Sequence, residues 1–152
     1  MATTLKTTTL TTTITEKINL NGKDFGNTTT KKISGIKDVS QRIIRVVTAT
    51  DGTQLYAGGS AVGPGTFIST NVEYIRITNL DSSNYITLNI WQDATHQAAF
   101  RLLAGESFIL GETLGFDVST DIDSVAGGVT FTKIEALANS AAVDVEVFVA
   151  SK

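Results

Sequence analysis

Hydrophobic and polar positions alternate strictly along two stretches in the middle of the chain, 74–78 and 85–91. The apolar positions are Ile75 and Ile77 in the first stretch and Ile86, Leu88 and Ile90 in the second. Successive side chains of a β-strand point to opposite faces, so each stretch predicts a strand with one apolar face. The residues between them, 80–84, have the composition of a tight turn. The pattern predicts a long β-hairpin whose apolar face packs against a second layer.

Similar patterns continue towards both ends of the chain. The last strand has one face made of Val143, Val145, Val147 and Val149. Near the N-terminus, 10–20 predicts a strand, Asn21-Gly22 a tight turn because this dipeptide accommodates positive φ angles, and 28–33 a return strand. Residues 41–48 carry apolar side chains at both odd and even positions, which predicts a strand buried on both sides or one that passes between layers.

The other segments fit the same all-β pattern. Residues 98–103 and 107–110 are predicted to pair around a turn at 104–106. Two further strands are predicted at 113–118 and 129–136. The glycine-rich segment 49–65 is predicted to be a loop with a brief strand at Leu55 and Tyr56. No window has helical periodicity; 133–141 comes nearest to it.

We therefore expect an all-β protein, an antiparallel β-sandwich of jelly-roll type with about eight to ten short strands. The 24 threonines agree with this, because β-branched side chains favour pleated surfaces. Residues 1–9 are expected to form an extended, Thr-rich N-terminal arm, and 10–152 a single β-sandwich domain. Such an arm can stay mobile, fold back as an edge strand or lie on a neighbouring subunit.

Composition narrows the range of functions. The chain has 152 residues, a formal net charge of −3 and no cysteine, which removes disulfides, thiolate catalysis and Cys-based zinc sites. A mildly acidic, evenly spread charge gives no electrostatic footprint for nucleic acid or an anionic membrane. The N-terminus lacks the pattern of a secretory signal, and no apolar run approaches a membrane span. We expect a soluble protein in its mature form, with neither nucleic acid nor membrane as a partner.

The candidate chemistry is sparse. His96, the one histidine, lies in a polar turn without a nucleophile motif nearby, so we interpret it as an exposed turn residue. Asp117, Asp121 and Asp123 fall within seven residues and could ligate Ca²⁺, although the EF-hand spacing is missing and solvated loop carboxylates are the simpler interpretation. We expect no cofactor and no enzymatic activity.

Aromatic and arginine side chains suggest contact surfaces instead. Tyr74, Tyr85 and Trp91 are predicted to share one face of the central hairpin, where they could stack a sugar ring, dock a protein, or pair across strands in a core or subunit interface. Arg76 on the same face suggests a cation–π contact or an ion pair at an interface. The remaining interface candidates come from the arm, the first strand and the loop: Leu5, Leu10, Tyr56 and Pro64.

Three phrases carry a family resemblance: Y-I-R-I-T-N-L-D at 74–81, N-Y-I-T-L-N-I at 84–90 and F-R-L-L-A-G-E-S-F-I-L at 100–110. Together with I-N-L-N-G-K-D-F-G-N at 18–27, they resemble small β-sandwich virion structural proteins of tailed bacteriophages. The resemblance covers roughly 14–110 and carries over no functional residue.

The resemblance implies a role in assembly. It implies a non-enzymatic capsid decoration, or cement, protein on the surface of the virion, which binds the phage major capsid protein or other virion proteins. A homo-oligomer is expected, with a trimer favoured, so that each small contact counts several times. The alternative is a phage tail or fibre component, or a carbohydrate-binding, receptor-binding β-sandwich module that uses Trp91, Tyr85 and the 49–65 loop.

Overall fold

The computed structural model describes residues 6–111 and 131–152, and this part of the chain is all-β, as predicted. It contains thirteen strands and one short 3-10 helix, with no α-helix among the described residues. The strands are β1 (Thr8–Glu16), β2 (Asn19–Leu20), β3 (Lys23–Asp24), β4 (Asn27–Ile36), β5 (Asp38–Val46), β6 (Thr53–Gly59), β7 (Thr66–Ile68), β8 (Val72–Asn79), β9 (Ile86–Trp91), β10 (Gln97–Leu102), β11 (Ser107–Leu110), β12 (Lys133–Ala138) and β13 (Val143–Ser151), with the 3-10 helix at Ser69–Asn71.

Two larger sheets share one hydrophobic core. The five-stranded sheet has the order β10-β9-β12-β6-β7, and the four-stranded sheet has the order β11-β8-β13-β5. All neighbours in them are antiparallel except β6 and β7, which are parallel. Buried side chains of both sheets belong to a single cluster, which includes Ile75, Ile77, Ile86, Leu88, Ile90, Val143, Val145, Val147 and Val149. The predicted apolar faces are thus confirmed.

The predicted central hairpin is wrong. β8 pairs with β11 and β13, whereas β9 pairs with β10 and β12, so the two strands lie in different sheets. The segment 80–85 therefore carries the chain from one sheet to the other. The predicted pairing of 98–103 with 107–110 fails for the same reason, since β10 and β11 also belong to different sheets. Turn-forming residues show where a chain changes direction, but they do not specify whether the next strand joins the same sheet.

Two further predictions around the first core strands need correction. Strand β5, expected to be buried on both sides or to pass between layers, is an edge strand with a single covered face: Val46 is fully buried and Ile43 is 67% exposed. The 49–65 segment is a loop only in part, because β6 runs through it for seven residues. Leu55 and Tyr56 are both buried next to a register irregularity in the pairing of β6 with β12, which explains why β6 lacks simple alternation.

A separate hairpin comes before the two large sheets. Strands β1 and β4 pair from Thr8 opposite Ile36 to Glu16 opposite Asn27, with one register shift between Thr8 and Thr9, and the short pair β2–β3 extends them to a tip. At the tip, Asn21 and Gly22 have φ angles of 52° and 78°, as the Asn-Gly prediction requires. We call residues 8–36 the hairpin. Thr8 and Thr9 already pair within it, while 1–5, and Leu5 with them, lie outside the described residues.

Candidate interaction surface

The base of the hairpin packs on the outer face of the four-stranded sheet. Ile33 and Ile36 of β4 are buried against Tyr74 of β8 and Ala150 of β13. Leu10 and Phe148 complete this second hydrophobic cluster, and the ring of Tyr74 meets that of Phe148 edge to face at 6.0 Å between centroids. Burial raises the pKa of Tyr74, and the neighbouring Arg76 partly offsets the rise. The base of the hairpin is therefore an integral part of the fold.

The distal part of the hairpin has no such cover. Every residue from 13 to 32 is exposed. Four large apolar side chains lie in this stretch, and each is between 53% and 57% exposed: Ile14, Ile18, Leu20 and Phe25. At a rise of ~3.3 Å per residue, the part of the ribbon beyond Ile14 extends roughly 20–25 Å past the body of the protein. A two-stranded ribbon is at best marginally stable by itself, so this arm is a strong candidate for contact with a partner.

Charge separates the hairpin from the rest of the chain. Residues 8–36 contain four lysines against one aspartate and one glutamate, a formal net charge of +2. The whole chain carries −3, so the remaining residues carry −5, of which −4 comes from Glu112, Asp117, Asp121 and Asp123 outside the described residues. A basic arm on an acidic protein favours contact with an acidic surface.

The direction of the hairpin leaves part of the outer face bare. A groove lies between β1 and the four-stranded sheet, and it is lined by side chains from Leu10 to Ile14, by Tyr74, Arg76 and Phe148, and by Ile109 of the edge strand β11. The hairpin thus runs towards the β11 edge. At the opposite edge, Val39 and Ile43 of β5 are 51% and 67% exposed on the same outer face. We call Val39, Gln41, Ile43 and Arg45, with the adjacent Asp38 and Asp144, the β5 patch.

Arg76 is engaged inside the chain. It forms an ion pair with Glu146, donates to Thr78 Oγ1 at 3.2 Å, and lies 5.9 Å from the centroid of the Phe148 ring. Glu146 also accepts a hydrogen bond of 2.8 Å from Gln41 of the edge strand. The cation–π contact predicted for Arg76 is therefore made, whereas its ion pair forms within the chain and not at an interface; together these contacts tie the three strands β8, β13 and β5 together.

The predicted aromatic face is divided between the two sheets. Tyr74 and Arg76 lie on the four-stranded sheet, whereas Trp91 ends β9 of the five-stranded sheet and Tyr85 directly precedes that strand. The expectation that the three rings share one face is wrong, because β8 and β9 are not neighbours. Each of the two half-buried rings carries a cation: Lys133 Nζ is 4.6 Å from the centroid of Trp91, and the Arg101 guanidinium is 5.5 Å from that of Tyr85.

The remaining interface candidates have different surroundings. Leu10 is half-buried at the base of the hairpin. Pro64 is exposed in the turn between β6 and β7. Tyr56 is only 1% exposed; it stacks on Phe67 at 5.5 Å, and burial raises its pKa to about 12. Tyr56 thus has almost no surface to offer a partner in this conformation.

Among the polar candidates, His96 belongs to a hydrogen-bonded turn. His96 is exposed in the β9–β10 turn, as interpreted from the sequence, with Nδ1 2.8 Å from Asp93 Oδ2. Backbone N–H donation from Thr95, followed by the hydrogen bond to the His96 side chain, holds the pKa of Asp93 well below its usual range. No group of three or more potential metal ligands occurs among residues 6–111 and 131–152. The proposed Ca²⁺ ligands Asp117, Asp121 and Asp123 lie outside the described residues.

The apolar residues of the distal hairpin and of the β5 patch were not among the sequence candidates. One available signal was the cluster of lysines at 17, 23, 31 and 32, which places a positive charge on a segment that also carries isolated large apolar residues. The exposure of β5 had no such signal, because Ile43 and Ile44 look equally suited to a core.

No family model matches the chain, and neither the curated proteins nor the solved structures include a significant match. Among the described residues, none forms a helix long and apolar enough to cross a membrane.

Proposed function

We propose that this chain is a non-enzymatic structural protein of a bacteriophage virion, a decoration protein that binds major capsid subunits on the outside of the head and stabilises it. The observation that carries the proposal is the projecting hairpin, whose distal twenty residues form a ribbon in which every residue is exposed. An arm of this kind can dock on neighbouring proteins or add strands to them. The resemblance of 74–81, 84–90 and 100–110 to phage virion proteins supports the same role.

We further propose that the two sheets form a β-sandwich of the jelly-roll type. The strand order supports this. Eight strands remain from β5 to β13 when β7 is set aside. Numbered one to eight along the chain, the first, eighth, third and sixth lie side by side in one sheet, and the second, seventh, fourth and fifth lie side by side in the other. Such a strand order is typical of a jelly roll, an arrangement that occurs in viral capsid proteins and lectins among others.

The test is binding to heads. Purified protein is mixed with empty phage heads assembled from a major capsid protein, and sedimented at increasing ratios. We expect binding that saturates at a fixed ratio to capsid subunits, together with a higher temperature of head disruption. Heads that leave the protein in the supernatant at every ratio would refute the proposal. The Leu103→Ser variant, changed at an exposed apolar residue outside the hairpin, serves as a control and should bind normally.

A receptor-binding module of the tail or fibre is the second candidate, and Trp91 favours it. The ring is half-buried at the end of β9, and its Nε1 is buried without a hydrogen-bond partner. A sugar hydroxyl that reached this nitrogen would satisfy it, with the ring as a stacking platform. Host polysaccharide should then change Trp91 fluorescence; an unchanged spectrum together with an empty glycan array would dismiss this candidate.

A further inference from the structure

We infer that the distal hairpin of one copy docks on the β5 patch of a second copy, so that the protein assembles head to tail into a closed ring. The inference rests on the proposed function in one respect only, since that function expects a homo-oligomer; it adds which two surfaces meet.

The first step is that the hairpin cannot reach the β5 patch of its own chain. Its base is fixed on β8 and β13 by Ile33 and Ile36. From there β1 passes over Arg76 to the β11 edge, where Ile14 and Ile109 line the same groove. The β5 strand is at the other edge of the four-stranded sheet. The tip therefore points away from its own β5 patch, and only another molecule can place a hairpin there.

The second step is that the two surfaces match in chemistry. The distal hairpin offers Ile18, Leu20 and Phe25 as exposed apolar side chains, and the β5 patch offers Val39 and Ile43. The hairpin carries a formal net charge of +2, from four lysines against Glu16 and Asp24, and the β5 patch carries −1, from Asp38 and Asp144 against Arg45, so contact between the two surfaces brings opposite charges together. An acidic capsid surface would complement the positive charge of the hairpin, but it would leave Val39 and Ile43 exposed.

The third step is geometry. The hairpin and the β5 patch are different surfaces at opposite edges of one sheet, so a one-way contact between them is heterologous. Heterologous contacts close into a ring when the rotation between copies allows it. Each member of the ring then donates one hairpin and receives one, and the number of contacts equals the number of copies. Two copies can satisfy this condition reciprocally as a twofold dimer, and a trimer, the oligomer expected from the sequence resemblance, is the smallest head-to-tail ring.

The first experiment measures oligomeric state by analytical ultracentrifugation of the isolated protein. We expect a closed oligomer, and a roughly 10- to 100-fold weaker association for Leu20→Ser and for Ile43→Ser, because each removes one buried apolar side chain from the interface. Leu103→Ser should associate like the parent protein. Raised salt should also weaken assembly. A protein that stays monomeric at all concentrations, or hairpin variants that associate normally, would overturn the inference.

The second experiment tests which surfaces meet, and it does not depend on variants that weaken the fold. The chain contains no cysteine, so introduced cysteines are the only thiols. A short bismaleimide should link Leu20→Cys/Ile43→Cys copies into a covalent series that ends at the ring. The control Leu20→Cys/Leu103→Cys should give dimers at most. Equal products from the two pairs would contradict the proposed contact.

These outcomes separate the inference from the proposed function. A monomer in solution that still saturates heads, and loses head binding when Leu20 is changed, would overturn the hairpin exchange and leave the decoration role intact. A ring linked through Leu20 and Ile43 that never binds heads would support the exchange and refute the decoration role.

Discussion

Asn79 connects the two sheets at the point where the chain crosses between them, and its replacement by alanine should destabilise the whole fold. The side chain is fully buried at the end of β8. Its Nδ2 donates to the carbonyls of Asn84 at 2.9 Å and Leu102 at 3.3 Å, and its Oδ1 accepts from the Asp81 backbone N–H at 3.0 Å. One side chain thus holds both crossing segments, 80–85 and 103–106.

The expected cost follows from these three bonds. Asn79→Ala leaves two carbonyls and one N–H without their partner, and each loss destabilises the fold by about 1 kcal/mol when water cannot replace it fully. The sum is about 3 kcal/mol. For a chain of this size, ~1 kcal/mol lowers Tm by about 2–4 °C, so the melting temperature should fall by roughly 6–12 °C.

Urea unfolding followed by tryptophan fluorescence, together with calorimetry, provides the measurement. Asn139→Ala is the matched control, because Asn139 is exposed and should change stability by less than about 0.5 kcal/mol. Asn79→Asp keeps an acceptor for Asp81 but turns a carboxylate towards two carbonyl oxygens, so at neutral pH it should cost more than alanine. An Asn79→Ala protein as stable as the control would show that these bonds do not hold the crossing segments.

Three further predictions concern the core, the hairpin and acid stability. Burial raises the pKa of Tyr56 from 10.0 to about 12. The neutral side chain therefore contributes its full share of the free energy of unfolding below pH 10, and this share falls by about 2 kcal/mol at pH 12. In urea titrations at high pH, Tyr56→Phe should lack this alkaline loss. Ile33→Ala should open the hairpin base at a cost of about 2 kcal/mol or more, seen as roughly 30-fold faster trypsin cleavage after the hairpin lysines, whereas Val62→Ala should leave the rate unchanged. Backbone N–H donation from Asn84 and then Ser83 holds the pKa of Asp81 below 3.8, so the stability that its carboxylate contributes is present above that pH and is lost as the pH falls. The free energy of unfolding of Asp81→Asn should therefore fall less steeply with acid than that of the parent protein, and an unchanged acid profile would contradict this.

Local alternation predicted the strands well because burial on one face is a local property of a pleated chain. Ile86, Leu88 and Ile90 are all buried on one face of β9. This burial can be predicted without knowing which strands pair with β9. The same holds for the four valines of β13. Where burial does not alternate, as at Leu55 and Tyr56, the strand was underestimated because a register irregularity brings consecutive residues into the core.

Topology was not predictable from the same pattern. A tight turn between two alternating strands fits a hairpin, but the segment after Asn79 leads into the other sheet. What decides between the two is tertiary: the free edges of β8 are taken by β11 and β13, and the buried amide of Asn79 binds groups from two distant segments. The predicted hairpin between β8 and β9 placed Tyr74 and Trp91 on one face. Because the two strands belong to different sheets, the predicted aromatic site does not form.

The interaction surface was difficult to predict for a related reason, which also explains why a partner is expected. Leu10 and Ile14 occupy equivalent positions along β1, yet one is half-buried on the sheet and the other is 57% exposed. An alternating pattern is the same whether the covering layer belongs to its own chain or to another. Ordering the twenty residues from 13 to 32 costs about 1–2 kcal/mol each in backbone entropy, and their exposed side chains return little of it within one molecule. We propose that the compensating contacts come from another molecule, and the uncovered apolar residues of β5 are one surface among the described residues that could supply them.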